Sequence, residues 1–131
     1  MIRKWFSTLG LVVVAAVLLA LSSCARSQQL VSISLQPTGG FVFEGYNAAG
    51  QFTALGSYIH PPETKDITDK VVWTLDIANF GTITQQGLVT YTRTDGCGSG
   101  LVTATYTASD GNVVEGTAPV SGANNSSASC Q

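Results

Sequence analysis

Charge is scarce in this chain. Of its 131 residues only 11% are Asp, Glu, Lys or Arg, and there are one histidine, one methionine and three cysteines. Six basic residues against eight acidic ones exclude a nucleic-acid partner, because a phosphate backbone needs clustered Lys and Arg to release its counterions. A lone histidine leaves little material for a metal centre or a hydrolytic triad. A hydrophobic share of 44% excludes a disordered polar chain, and the length sets a ceiling of one folded domain. What is present is Thr, Gly, Val and Ser, a composition of strands and turns with no place for long amphipathic helices.

Much of the apolar excess lies near the N-terminus. Arg3 and Lys4 precede an uncharged run from Leu9 to Leu21, which ends in Leu21-Ser22-Ser23-Cys24. A basic start, a short apolar core and small residues before a cleavage point are the parts of a secretory signal. As a helix the run spans about 20 Å, short of the roughly 30 Å hydrocarbon core that a permanent transmembrane segment must cross. Leu21-Ser22-Ser23-Cys24 resembles the lipobox of bacterial lipoproteins. The resemblance implies cleavage after Ser23, leaving Cys24 as the first residue with a diacylglyceryl thioether and a palmitate-type N-acyl chain. Several chains anchor stably where one does not. The alternative is an ordinary signal peptide with an unmodified Cys24. Ala25, rather than Asp, follows the anchor and resembles the outer-membrane sorting signal of Gram-negative lipoproteins, which favours the outer membrane and leaves open which side the domain faces.

The expected division is a signal peptide over 1–23, a lipidated tether over 24–30, a domain over 31–120 and a polar C-terminal tail over 121–131. After cleavage, Arg26, Lys65, Lys70 and Arg93 face all eight acidic side chains, so no basic patch survives. A domain of this size buries about 65% of its unfolded surface and can fold alone.

Val31, Ile33 and Leu35 alternate with Ser32, Ser34 and Gln36, the period of a half-buried strand. Pro37 and Gly39-Gly40 end it. Phe41 and Phe43 share one face of a short extended piece, and 44–50 reads as a turn-rich loop. Phe52, Ala54, Gly56 and Tyr58 line the next strand, which His60-Pro61-Pro62 stops. After a polar loop to Asp69, Val71, Trp73, Leu75 and Ile77 share a face, with Trp73 expected at the centre of the core. Two short strands follow, over 81–84 and 88–92, and then the loop Asp95 to Gly100. The last hairpin is predicted over 102–108 and 113–120, turning at Asp110-Gly111-Asn112. About seven short strands separated by turns predict an all-β antiparallel sandwich.

Several pieces, in order, carry a family resemblance: Phe52-Thr53-Ala54-Leu55-Gly56-Ser57-Tyr58, Lys65-Asp66-Ile67-Thr68-Asp69 leading into Val71-Val72-Trp73, Gly81-Thr82-Ile83, Gly87-Leu88-Val89-Thr90, and Val102-Thr103-Ala104-Thr105-Tyr106. Residues 31–120 resemble a bacterial Ig-like domain of group 2 (BIG2). That implies an Ig-like fold and, since such modules occur within adhesins and other surface proteins, cell-surface contact or polysaccharide attachment without shared catalytic residues. The chain departs from the pattern at Thr74-Leu75-Asp76 and in the extra Cys97.

If Cys24 carries lipid, Cys97 and Cys130 remain as an even pair, expected to form a disulfide in an exported protein. The last hairpin would return the chain near Ser121 to the loop at Cys97, and the tail to Cys130 can reach at about 3.3 Å per residue. For other chemistry the candidates are thin. His60 with Glu63 and Asp66 has no recognised ligand spacing, and a surface role is expected. Gly98-Ser99-Gly100 lacks the strand-to-helix frame of a nucleophile elbow. Cys97 has no adjacent base or helix N-terminus to activate its thiol. Asp95-Gly96 and Asp110-Gly111-Asn112 are fragments of calcium loops without the full ligand series, so turn chemistry is the expectation for them as for Asp69 and Asp76. Phe41, Phe43, Tyr46 and Tyr58 could form an aromatic platform for glycans, but alternation directs most of them inward. No catalytic residue, metal or cofactor is therefore expected. The functional expectation is a lipid-anchored, non-catalytic module for adhesion or scaffolding, with a protein or polysaccharide partner. The alternatives are a periplasm-facing subunit of an envelope complex and, remotely, a small hydrolase dependent on His60.

Overall fold

The computed structural model describes residues 27–94 and 96–124. The described chain is all-β, with no helix and hence none long and apolar enough to cross a membrane. Ten strands follow in order: β1 (Gln29–Gln36), β2 (Phe41–Glu44), β3 (Ala49–Gln51), β4 (Thr53–Ile59), β5 (Glu63–Asp66), β6 (Val72–Leu75), β7 (Gly81–Ile83), β8 (Leu88–Tyr91), β9 (Cys97–Thr107) and β10 (Val113–Ala123). They form three sheets, ordered β1-β4-β5, β2-β10-β9-β6 and β3-β8-β7. All pairings are antiparallel except β2 with β10, which is parallel. The expectation of purely antiparallel pairing fails there because the chain leaves β1 at Pro37 and enters β2 beside the last strand without reversing.

The number of strands exceeds the expected seven for local reasons. Only Phe52 separates β3 from β4, and its N–H donates to Gly87 O at 2.9 Å while the neighbouring lengths pair with different strands. The polar segment after His60-Pro61-Pro62 is β5, paired with β4 from Leu55↔Asp66 to Tyr58↔Glu63. In β1 a register shift between Leu30 and Ser32 reverses the parity of the alternation. Leu30, Ile33 and Leu35 are consequently buried, while Val31, expected inward, is 47% exposed.

The hairpin is longer than its sequence suggests. β9 and β10 pair over eleven residues each, from Val113↔Thr107 to Ala123↔Cys97. Cys97 to Gly100, expected as loop, and Ser121 to Ala123, expected as tail, are strand. Their glycines look like loop residues in the sequence but serve as places where side chains lie flat on the backbone. A Cβ on Gly98 would meet the Phe80 ring at 3.2 Å, and one on Gly122 would meet the Tyr91 ring. The turn at Asp110-Gly111-Asn112 forms as expected, with Gly111 at φ +84° and the Asn112 N–H donating to Asp110 Oδ1 at 3.0 Å.

Inward residues of all three sheets share one core. Trp73, Phe52, Ala54, Val89, Val102, Ala104, Ala118 and Val120 are all buried within it. Trp73 takes the expected central place, and its Nε1–H donates to Thr68 O at 2.9 Å. One end of the core is aromatic: Phe80 meets Tyr91 edge-on at 4.9 Å, and Phe43 lies parallel to Tyr91 at 6.2 Å.

Candidate functional site

The predicted site residues are scattered over the fold. Cys24 and Cys130 lie outside the described residues, as do the signal peptide and Asp95. Cys97 opens β9 opposite Ala123 and is disulfide-bonded. Beside it, Val42, Gly98, Ser99, Ser121 and Gly122 line a shallow groove, whose described walls are mostly small side chains.

The carboxylates are engaged by turns and neighbours. Asp66 Oδ1 accepts the Thr68 N–H at 2.9 Å, and the hydrogen bonds from Thr68 hold its carboxyl below the usual value. Asp76 Oδ1 accepts the Leu101 N–H at 2.7 Å, which extends the β6–β9 ladder by one side chain. Glu63 Oε2 accepts from Gln28 Nε2 at 3.0 Å and lies 3.0 Å from Lys65 Nζ, and these two contacts, Gln28 first, lower its pKa. Lys65 also donates to Gln28 Oε1 at 2.7 Å and sits 5.3 Å from the centre of the Tyr58 ring. His60 is exposed, in the left-handed region at φ +62°. Among the described residues no three His, Cys, Asp or Glu side chains gather in a geometry that could hold a metal ion.

The aromatic candidates separate. Phe43 is buried, Phe41 and Tyr58 pack partly buried against the core, and Tyr46 alone is open at 55% exposure.

One surface was not singled out from the sequence. On the outward side of β2-β10-β9-β6, alternation sets Val42, Val72, Leu101 and Val113 among the exposed large hydrophobics. Thr117, Thr103 and Thr74 stand abreast across three strands between them. Among the strand residues of this face Glu44 and Glu115 are the charges, and none is Lys or Arg. The signal was available, because assigning Phe43, Trp73 and Val102 inward already sends their neighbours outward. What hid it was treating each strand singly, without knowing that these four are adjacent. No protein-family model matches the chain, and no curated protein matches it.

Proposed function

We propose that this chain is an exported lipoprotein, held in the bacterial envelope by acylated Cys24, whose domain binds a partner and performs no chemistry. The observation that carries this reading is the basic start, short apolar run and Leu21-Ser22-Ser23-Cys24 at the N-terminus. The domain is taken as an Ig-like sandwich of the group 2 bacterial class. Support comes from the core shared by inward residues of all the sheets, with Trp73 at its centre. The non-catalytic assignment is supported by Glu63, Asp66, Asp76 and Asp110 each being engaged in a local structural contact. The binding surface is assigned to the outward side of β2-β10-β9-β6. Its hydroxyls and valines, without cations, suit an uncharged polysaccharide or a protein surface, and outer-membrane attachment is the favoured location.

A second reading, a subunit of an envelope complex facing the periplasm, draws on the same face. Four exposed large hydrophobic side chains, spread along one sheet among threonines, are surface that a permanent partner would cover. Protease shaving of intact cells separates the two readings, using a tag after Gln131 and a periplasmic control protein. Loss of the tag while the control survives supports outward display and adhesion. Protection until the outer membrane is opened supports the periplasmic subunit.

A further inference from the structure

The anchor and the fold together assign a direction to the domain. The expected tether of 24–30 is shorter in the structure, since β1 begins at Gln29 and the Gln28 side chain is fixed between Glu63 and Lys65. Only three peptide links separate Cys24 from Ser27, the first described residue. At up to about 3.6 Å per residue they span at most about 11 Å, whatever path they take.

Ser27, Gln28 and Gln29 lie at the same end of the domain as the β9–β10 turn, where Tyr58, Ser109 and Asn112 line one depression with them. The opposite end, where Cys97 pairs with Ala123 and the Gly45 N–H donates to Ala123 O, is eleven strand residues away. At about 3.3 Å per residue that is about 36 Å.

We infer that the Ser109–Asn112 pole rests against the lipid headgroup layer and that the Tyr46–Cys97 pole projects away from it. This rests on the lipid-anchor reading above and adds to it the surface that meets the bilayer. Charge favours the pole over the broad face. The strand residues on the outward side of β2-β10-β9-β6 carry two carboxylates, Glu44 and Glu115, and no cation, whereas the pole carries Asp110 and the Glu63–Lys65 pair, so an anionic leaflet repels the broad face more. Arg26, two residues after the anchor in sequence, is attracted to the same leaflet. Among the described residues, the outward side of β2-β10-β9-β6 is thereby turned away from the headgroup layer.

The test uses the full acylated protein, extracted from membranes and reconstituted into phosphatidylethanolamine and phosphatidylglycerol vesicles containing a nitroxide-headgroup lipid. A fluorophore is placed on Ser109→Cys or on Tyr46→Cys, both exposed positions, with Asn112→Cys and Thr94→Cys replacing any variant whose melting temperature falls. Loss of fluorescence at 109 with none at 46 is expected. Equal loss at both, or greater loss at 46, overturns the orientation. Protein that carries no acyl mass and does not float with the vesicles overturns the anchor reading and this inference with it.

Discussion

Replacing Gly122 by Ala tests the least expected part of the fold with a single methyl group. In sequence, Ser121 to Ala123 looks like the start of a flexible tail, where Gly→Ala stabilises by about 0.4–1 kcal/mol through the unfolded state. In the structure Gly122 is buried in β10 opposite Gly98. A Cβ there would stand 2.7 Å from Tyr91 Cδ2 and 2.8 Å from Cζ, where carbon atoms prefer about 3.5–4.0 Å. The ring has nowhere to go, since Tyr91 is fully buried between Phe43 and Phe80. The strand or the ring must therefore shift by about an ångström, an overpacking that costs about 1–3 kcal/mol. For a domain of this size that lowers Tm by about 4–20 °C. Gly39→Ala, with nothing within 4 Å of the added atom, is the control and leaves Tm unchanged or slightly raised. Thermal unfolding of the two variants followed by circular dichroism is the assay. A Tm for Gly122→Ala equal to or above wild type refutes the pairing of 121–123 and the position of Tyr91.

Phe80→Ala, at a fully buried ring, should cost about 3–5 kcal/mol in urea unfolding, whereas Tyr46→Ala on the surface should change stability little. Gln28→Ala removes the largest cause of the lowered Glu63 pKa, so an NMR titration should find the Glu63 carboxyl moved upward toward its ordinary value. The sign for stability follows: a carboxylate whose pKa is lowered by folding stabilises above its unfolded pKa and loses that contribution as pH falls through the folded one. Acid should therefore weaken the contacts of Glu63 and Asp66 below their ordinary values of 4.5 and 3.8. Cys130→Ser should destabilise by up to about 3.8 kcal/mol if Cys130 closes the loop to Cys97. Unchanged stability and a Cys97 thiol still protected from alkylation would refute that pairing.

Alternation made much of the fold legible. Trp73, Phe52, Ala54, Val102 and Ala104 are inward as their period-two spacing predicts, and the Asp110-Gly111-Asn112 turn announces itself by its residue types. What failed were positions where tertiary contact overrides the local signal. A bulge after Leu30 turned Val31 outward, and the register shift that causes it is a property of the β1–β4 pair. Phe80 follows Asn79 in a turn, with no periodic neighbours to mark it as core, yet it is fully buried because Gly98 and Tyr91 make room for it. Gly98, Gly100 and Gly122 carry the composition of a loop and the geometry of a strand. The outward hydrophobic side chains were hidden for a similar reason: Val42, Val72, Leu101 and Val113 come from four segments whose shared sheet depends on strand order.

The central claim is that Cys24 joins this domain to a membrane. It is tested most directly by mass spectrometry of the N-terminal peptide of the protein purified from the membranes of cells that express it. The expected result is a chain beginning at Cys24 and carrying the added mass of a diacylglyceryl group, with an N-acyl chain, and loss of that mass in Cys24→Ser. A chain beginning elsewhere, or an unmodified Cys24 thiol, would contradict it.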